Sequence, residues 1–346
     1  MHFSDDLLYW YSQNKRDLPW RNTRDPYKIW LSEIILQQTR VNQGLPYFVR
    51  FLNEFPTIYD LAEATEDKVL KTWQGLGYYS RARNLQNTAR FICDNYEGEF
   101  PQDYNDIIAL KGIGSYTAAA ISSFAFHKNY AVVDGNVIRV LSRFFGVETF
   151  YDTSKGKKEF QKLADSNLPK KKSHLYNQAI MEFGALVCTP KTPSCISCCF
   201  SDSCYAFNKR LTAELPKKSK KIKVKDRFLY FMILEDNQSC CFVKKESGIW
   251  SGLYEFPSVE FSSDINIDEL IKNEKFMSFF NGRKFNLYKI SPQITHKLSH
   301  QKLHVRFIHI KLEELDFSNF KLVKKSGVNK LPVSKLIDNY LIKNNI

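Results

Sequence analysis

Four cysteines in one short stretch carry the strongest chemical signal in the chain. Their spacing is Cys188-x6-Cys195-x2-Cys198-x5-Cys204, and four thiolates so close together can surround one metal centre. Structural zinc usually lies between two short Cys-x2-4-Cys pairs, whereas only one such pair is present here. The spacing therefore favours an iron–sulfur cluster, with zinc and disulfides as the alternatives.

A single carboxyl group stands in an apolar helical stretch. Asp25 and Pro26 are a typical helix start, a capping carboxylate followed by proline. Further along that helix, Glu33 is the one ionisable residue in the apolar run of residues 29–36. Burial there would raise its pKa and let it donate a proton near neutral pH. Alternatively, Glu33 lies on the solvent face of an amphipathic helix.

A second carboxylate is placed where its charge would be stabilised. Asp134 precedes a helical pattern over residues 137–145, so the free N–H groups and the helix dipole favour its ionised form. It could also be an ordinary N-cap. A carboxyl held neutral and a carboxylate held ionised divide the work of cleaving a glycosidic bond, one as acid and one as stabiliser of positive charge.

The elements that would position these groups are helices up to about residue 208. Apolar residues recur there at spacings of three and four. Within this part, Gly112 and Gly114 lead into an alanine-rich helix, which predicts a helix-hairpin-helix near residues 110–121 whose backbone amides approach a phosphate. A plain tight turn is the alternative.

The sequence changes character after residue 208. Residues 209–227 form a basic run with a proline, predicted to be a linker that is either a solvated tether or a strap along phosphates. Residues 228–346 contain alternating apolar strands, for example 228–234, 240–243 and 303–310. We therefore predict an all-helical domain over 1–208 and a small α+β domain over 228–346.

Composition indicates a polyanionic partner. The 346 residues include 50 Lys and Arg against 37 Asp and Glu, a formal charge of +13, which favours nucleic acid over an anionic membrane. No apolar run is long enough to span a bilayer. The N-terminus lacks a signal-peptide pattern, so we expect a reducing cytoplasm, where thiols remain free to bind metal.

Three motifs follow one another along the chain: the hairpin, the Val-Asp-Gly-Asn motif at residues 133–136 and the cysteine loop. Together they resemble the helix-hairpin-helix DNA glycosylase superfamily. Four further strings, at residues 18–21, 30–39, 75–83 and 248–257, are similar to the MutY-type adenine DNA glycosylases. The resemblance implies an all-α helix-hairpin-helix glycosylase domain with a [4Fe-4S] cluster loop at 188–204, plus a Nudix-like α+β domain that recognises 8-oxoguanine. It also implies a monomeric, bacterial-type, nucleoid-associated enzyme that acts on double-stranded DNA in base excision repair.

The same resemblance implies a reaction and a set of site residues. Such enzymes remove adenine mispaired with 8-oxoguanine or guanine and leave an abasic site. The implied residues are Glu33 as acid, Asp134 as carboxylate, Asn136 and Tyr116 in support; Trp20, Arg21, Leu36 and Gln178 around the adenine; Gln38 and Tyr78 inserted into the duplex; Gly112 and Gly114 in the hairpin; Cys188, Cys195, Cys198 and Cys204 as cluster ligands; Ser299 and His300 at the 8-oxoguanine.

Three positions bear on alternatives to this reading. Tyr116 stands where endonuclease III relatives have a lysine that attacks the sugar; tyrosine cannot form an imine, so we expect a monofunctional enzyme rather than a glycosylase/lyase for oxidised pyrimidines. Leu298 replaces the aromatic residue of the family's recognition turn. No Glu-rich Nudix metal box follows Gly248, which argues against pyrophosphate hydrolysis. A non-catalytic mismatch-binding protein is the remaining alternative.

Overall fold

The structure is a computed structural model that describes residues 3–219, 224–280, 282–312, 315 and 319–346. The chain forms two compact units, each built from two segments. The first unit comprises Met1–Glu63 and Asn84–Lys221, and the second comprises Ala64–Arg83 and Ile222–Ile346. None of the helices in the described ranges is long and apolar enough to cross a membrane.

All regular secondary structure among the described residues of the first unit is helical. Its helices are α1 (Phe3–Asn14), α2 (Pro26–Leu36), α3 (Val41–Glu54), α4 (Ile58–Glu63), most of α6 (Ser80–Tyr96, after α5 of the second unit), α7 (Tyr104–Ala109), α8 (Ser115–Phe124), α9 (Gly135–Phe145), α10 (Ser154–Ser166), α11 (Ser173–Leu186) and α12 (Tyr205–Asn208). Short 3-10 turns cover Pro19–Arg21 and Lys170–Lys172.

Side-chain caps fix where several of these helices begin. Asp25 caps α2 by accepting the Tyr27 N–H at 2.9 Å, and Asp134 caps α9, as the sequence predicted for both. Helix α2 ends at Leu36, because Gln37 has a non-helical ψ of 113° and Gln38 takes a left-handed conformation with φ of 57°.

The core of the first unit holds the functional helices in place. One cluster of buried apolar side chains joins α1, α9, α10 and α11, with members such as Leu7, Leu141, Phe160 and Phe183. Helix α2 packs against both α3 and α8. These contacts bring the C-terminal half of α2, the start of α8, the start of α9 and the middle of α11 to one region.

The second unit is a mixed sheet with helices. Its strands are β1 (Lys225–Glu235), β2 (Ser239–Lys244), β3 (Tyr254–Glu255), β4 (Ser258–Phe261), β5 (Asn286–Ile290), β6 (Ile294–Lys297), β7 (Gln301–Lys311) and β8 (Lys321–Lys324). Its helices are α5 (Glu66–Trp73), α13 (Ile267–Lys272), α14 (Glu274–Met277) and α15 (Lys335–Asn344), with a 3-10 turn at Lys325–Lys330. The order is β3-β2-β1-β7-β5, with β4 on β1, β6 on β7 and β8 on β2.

The long central strands are buried on both faces. Strands β1 and β7 run parallel over their full length, and side chains alternate between two cores. Phe231 and Ile233 face one core, whereas Tyr230 and Met232 face the other. The predicted strands are therefore confirmed, with β1 beginning at Lys225 rather than at residue 228.

The first difference from the predicted domain boundaries lies in the N-terminal part of the chain. Residues 64–83, predicted in the helical domain, belong to the second unit, where Asp67 pairs with Lys244 at 2.7 Å and Gln74 donates to Asp338 at 2.8 Å. Such long-range partners have no local sequence signal.

The predicted linker over 209–227 is not a free tether along its whole length. The Tyr151 N–H donates to the Lys217 carbonyl at 3.1 Å, and the Ser219 N–H donates to Asp152 at 2.9 Å, so the first half of the segment packs on the first unit. Residues 225–227 belong to β1. Residues 220–223 lie outside the described residues.

Candidate active site

A cavity of about 710 Å³ in the first unit contains the predicted catalytic residues. It is lined by side chains from α2, α8, α9, α11 and the turn before α2. Each predicted catalytic or adenine-pocket residue lies in its wall, together with Gln38: Trp20, Arg21, Glu33, Leu36, Gln38, Tyr116, Asp134, Asn136 and Gln178.

Glu33 is buried in this wall, with only 5% of its surface exposed. The alternative that it lies on a solvent face is therefore wrong. Burial raises the pKa of Glu33 to about 7, and the nearby charge of Asp134 also raises it. The Tyr116 hydroxyl donates to Glu33 Oε2 at 2.5 Å. At neutral pH a substantial fraction of Glu33 therefore carries a proton that it can donate.

Replacing Tyr116 by Phe should shift the pH dependence of a reaction in which Glu33 is the general acid. The hydrogen bond from Tyr116 stabilises the ionised form of Glu33 and opposes the effect of burial on the pKa. Its removal should raise the pKa of Glu33 further, by roughly one unit if a hydrogen bond to a charge contributes about 1.5 kcal/mol. The alkaline limb of the single-turnover excision rate should move to higher pH by that amount.

Tyr9→Phe is the matched control, because Tyr9 is 73% exposed on α1 and does not line the cavity. Its profile should coincide with that of the wild type. An unchanged alkaline limb in Tyr116→Phe would mean that this hydroxyl does not stabilise the ionised acid.

Asp134 accepts several hydrogen bonds at the start of α9. The Val137 N–H donates to Oδ1 at 2.8 Å and Asn136 Nδ2 donates to Oδ2 at 2.7 Å. Burial is the largest effect and leaves the pKa of Asp134 above its usual value, although these donors and the charge of Arg139 lower it. The sequence predicted the stabilisation by the helix start but not the opposing effect of burial. Asp134 nonetheless has more donors to its carboxylate than Glu33 has.

The cysteine loop is linked to this carboxylate indirectly, through Arg139 and Asn136. The buried guanidinium donates to Asn136 Oδ1 at 2.8 Å, to the Gly184 carbonyl at 2.7 Å and to the Cys188 carbonyl at 2.7 Å. A Cβ atom at Gly184 would come within 2.7 Å of Asn136 Cβ, so only glycine lets α9 and α11 approach this closely. The orientation of Asn136 thus depends on where the cysteine loop lies.

The four predicted ligand cysteines face one another. They line one small cavity of about 30 Å³, and each is a free thiol, so the disulfide alternative is wrong for the structure as described. Among the described residues, no three His, Cys, Asp or Glu side chains converge closely enough to hold a single metal ion. Four thiols around one cavity are a donor set that either an iron–sulfur cluster or zinc accepts. The four are Cys188, Cys195, Cys198 and Cys204.

A buried arginine fixes the course of that loop. Arg143 donates to the carbonyls of Thr189 at 2.7 Å and Pro190 at 3.1 Å, and its Nη1 lies 3.5 Å from Cys188 Sγ. Its Nε donates to the Leu215 carbonyl at 3.0 Å.

The predicted hairpin lies between α7 and α8. Gly112 has φ of 82°, and a Cβ there would meet Asn84 Cβ at 2.8 Å, so glycine is required on both counts. Gly114 is the N-cap of α8. The Thr88 hydroxyl donates to the Lys111 carbonyl at 2.7 Å and anchors the turn on α6. The first N–H groups of α8 are thereby left at the hairpin tip.

A separate cavity of about 560 Å³ lies in the second unit. Tyr78, Ser299 and His300 line it, and the hydroxyls of Tyr78 and Ser299 hydrogen-bond to each other. Ser299 and His300 occupy the exposed turn between β6 and β7, which the Leu298 N–H closes by donating to the Gln301 carbonyl at 2.8 Å. The structure thus brings the predicted recognition residues of this unit together with Tyr78.

Comparison with known proteins supports the assignment of both units. Residues 31–166 match the model of the HhH-GPD superfamily of base excision DNA repair proteins, and residues 229–343 match the NUDIX domain model. The adenine DNA glycosylase of Buchnera aphidicola subsp. Schizaphis graminum is 35% identical over 331 residues, which cover 94% of this chain and 92% of that protein. The chain belongs to the adenine DNA glycosylase family.

Solved structures of other DNA repair proteins share the fold of the first unit. A thermostable thymine-DNA glycosylase is 32% identical with a TM-score of 0.56, covering 60% of this chain and 95% of that chain. A non-covalent endonuclease III–DNA complex, at 23% identity and a TM-score of 0.53, covers 60% of this chain and 94% of that chain and shows the same fold. The predicted fold and the predicted enzyme class, a glycosylase that hydrolyses N-glycosidic bonds, are confirmed.

This member of the adenine DNA glycosylase family also contains a buried ion cluster that was not predicted from the sequence. Glu182, whose side chain is fully buried, accepts Arg16 Nη2 at 2.6 Å and Arg21 Nη2 at 2.7 Å. Although burial would raise the pKa of Glu182, hydrogen bonds from both guanidinium groups hold it at about 2. All three residues line the cavity, so Glu182 fixes two cationic side chains at the mouth of the acid's pocket.

Neighbouring side chains also fix the orientation of Trp20 and Gln178 in the cavity wall. Trp20 is buried with its ring 5.1 Å from that of Phe48. Gln178 accepts the Tyr11 hydroxyl at 2.8 Å, which turns its amide nitrogen away from Tyr11. A planar wall and a fixed amide are the features that recognise a base taken out of its stack.

Proposed function

We propose that this glycosylase excises adenine that is mispaired with 8-oxoguanine or guanine in double-stranded DNA and leaves an abasic site. The observation that carries the proposal is the arrangement of Glu33, Tyr116 and Asp134 in one cavity. A carboxyl with a pKa near 7 lies beside a carboxylate that accepts several hydrogen bonds. This is the division of labour that hydrolysis of a glycosidic bond requires.

Each carboxyl has one role in the proposed reaction. Protonated Glu33 donates its proton to N7 of the adenine, so that the base leaves as a neutral molecule when the bond to C1′ breaks. The electron pair of that bond goes to the base, and positive charge develops on the sugar. Asp134 stabilises this charge electrostatically, and a water molecule adds at C1′ and releases one proton to the solvent.

The adenine must leave the duplex to reach these groups. Extrusion is the general solution for chemistry on a base, and the cavity of about 710 Å³ has room for a purine. Gln38 and Tyr78 are exposed and both hold positive φ values, 57° and 47°. Side chains held in this way can fill the space that an extruded base vacates.

The cavity of the second unit is the proposed site for the base opposite the adenine. 8-Oxoguanine differs from guanine by an N–H at position 7 and a carbonyl at position 8. A serine hydroxyl can accept from the first and donate to the second, which makes Ser299 suited to tell the two bases apart. The turn of Ser299 and His300 and the hydrogen bond to Tyr78 support this assignment.

The cysteine loop is proposed to hold a [4Fe-4S] cluster. The donor set of four thiols around one cavity supports it, and Cys188, Cys195, Cys198 and Cys204 would be the ligands. When bound, the cluster would give the loop structural rigidity. Through Arg139, that rigidity would reach Asn136. Iron and acid-labile sulfide in equal amounts in the purified protein would support the proposal, and zinc alone would contradict it.

A single-turnover assay tests the proposed reaction. The substrate is a duplex with one adenine opposite 8-oxoguanine, labelled on the adenine strand and analysed with and without hot alkali. We expect strand cleavage only after alkali, because Tyr116 cannot form an imine with the sugar and the product is an intact abasic strand. Borohydride should trap little enzyme on the DNA.

Each other outcome contradicts a different part of the proposal. Cleavage without alkali would indicate lyase chemistry and a bifunctional enzyme. No cleavage in either lane, from protein that binds the duplex and contains the cluster, would indicate a mismatch-binding protein without activity. Equal rates on adenine opposite 8-oxoguanine and opposite thymine would remove the mispair from the proposal.

A further inference from the structure

Trp250 holds a backbone conformation that bulky residues rarely adopt. Its φ is 67°, in the left-handed region, as are those of Gln38 and Tyr78. Glycine and asparagine enter this region readily, whereas a tryptophan there is strained by about 1–3 kcal/mol. Four other described non-glycine residues share this region, Glu97, His127, Arg210 and Asn345, but of all seven only Tyr78 and Trp250 line the cavity of the second unit. Trp250 has no role in the function described above.

The loop around Trp250 is fixed from both sides. The Ser251 N–H donates to the Gly248 carbonyl at 3.3 Å, and the Leu253 N–H donates to the Trp250 carbonyl at 3.0 Å. Arg83 donates through Nη1 to the Ser251 carbonyl. The strained conformation is therefore maintained by the loop and does not depend on the packing of the indole alone.

The indole forms part of the cavity that contains Tyr78 and Ser299. Trp250 lines this cavity of about 560 Å³, and its ring lies 6.1 Å from the ring of His296. The side chain is half-buried: part of it packs on the apolar core of the second unit and the remainder faces the cavity. Trp250 thus adds an aromatic wall to a cavity that Tyr78 and Tyr79 also line.

We propose that Trp250 is a specificity-determining residue whose indole contacts the base opposite the excised adenine, an oxidised purine. The inference rests on the proposed function and names a further wall of the same recognition site. Base–aromatic contacts are strong and need only a π face. Tyr78 and Ser299 supply a hydroxyl pair at one side, and Trp250 supplies the apolar surface that keeps water from the 8-oxo carbonyl and N7–H.

An ordinary packing role does not account for the position. A side chain that only filled the core would gain nothing from the left-handed region, where asparagine or glycine would be less strained. The strain is offset here by loop hydrogen bonds that hold the ring at a cavity wall. Backbone strain at such walls is typical of binding sites.

The test compares two substitutions of Trp250 with a control. Trp250→Asn removes the ring but suits the left-handed backbone, and Trp250→Phe keeps an aromatic face. Ile342→Ala is the control, because Ile342 is a 68% exposed apolar residue of the same unit outside the cavity. Dissociation constants are measured for two duplexes that carry an unhydrolysable adenine nucleotide, one opposite 8-oxoguanine and one opposite guanine.

We expect Trp250→Asn to reduce the preference for the 8-oxoguanine duplex about tenfold, because water would then compete for the hydrogen bonds to the 8-oxo carbonyl and N7–H that guanine lacks, and about one such bond is lost. Trp250→Phe should retain most of the preference, and Ile342→Ala should retain all of it. Melting temperatures of the variants show whether they fold, and Trp250→Gly, which suits the same left-handed backbone, replaces Trp250→Asn if the Asn variant does not fold.

An unchanged preference in Trp250→Asn, or in Trp250→Gly where it replaces the Asn variant, would overturn the inference. Equal weakening on both duplexes would also overturn it, because the ring would then support DNA binding in general. The wild type tests the proposed function separately: if it binds both duplexes equally, the proposed 8-oxoguanine recognition fails. If the wild type prefers the 8-oxoguanine duplex and the ring-deleted variant prefers it equally, the inference alone fails.

Discussion

Glu33→Gln should lower the single-turnover rate of adenine excision by about 10³-fold, within the range that general acids contribute, while affinity for the mispaired duplex survives. Glutamine matches the shape of the protonated acid and can still accept the Tyr116 hydroxyl, which donates to Glu33 at 2.5 Å in the wild type. It cannot supply a proton to the departing base. Rate and affinity are measured on the same duplex, by quenched-flow excision and by titration.

The same substitution should stabilise the fold at alkaline pH. The pKa of Glu33 is raised from 4.5 to about 7, so the folded state binds this proton more tightly than the unfolded chain does. The favourable contribution is complete below about pH 4.5 and is lost as pH rises to about 7. Above pH 7, Glu33→Gln should exceed the wild type in free energy of unfolding by up to about 3 kcal/mol.

Glu99→Gln is the control for both measurements, because Glu99 is an exposed carboxyl of the first unit that does not line the cavity. It should change neither rate nor stability. Excision that persists in Glu33→Gln would assign the acid elsewhere. Equal stability of Glu33→Gln and wild type at pH 8 would mean that Glu33 is not held neutral by burial.

The sequence predicted the acid because burial leaves a local signal. One ionisable residue within the apolar run of residues 29–36 indicates a carboxyl that is surrounded by core, and Glu33 is indeed buried. The same signal was available for Glu182, the one ionisable residue in the apolar run of residues 179–187. No catalytic motif surrounds Glu182, and the apolar run alone does not distinguish a buried ion pair from a solvated helix face.

Long-range partners left no such signal. Arg16 and Arg21 meet Glu182 across about 160 positions of sequence, and helix α5 joins the second unit through partners such as Lys244 and Asp338. Each of these side chains is locally compatible with a solvated surface. The positive φ of Trp250 was equally hidden, since an aromatic residue is a poor predictor of the left-handed region.

Asp134→Asn should lower the excision rate by about 10²–10³-fold, the range seen when one electrostatic stabiliser of a transition state is removed. Asparagine is as good an N-cap as aspartate, so it can still accept the Val137 N–H that lies 2.8 Å from Oδ1. The variant therefore removes the charge and keeps the cap, at the loss of the one hydrogen bond that Oδ2 accepts from Asn136. Stability should remain within about 1 kcal/mol of the wild type in denaturant titrations.

Asp103→Asn is a matched control for the cap, because Asp103 caps α7 by accepting the Asn105 N–H at 2.8 Å. It should preserve both activity and stability. The charge of Asp134 raises the pKa of Glu33, so the alkaline limb of any residual activity in Asp134→Asn should move to lower pH. Full activity in Asp134→Asn would reduce this residue to the N-cap that the sequence left as its alternative role.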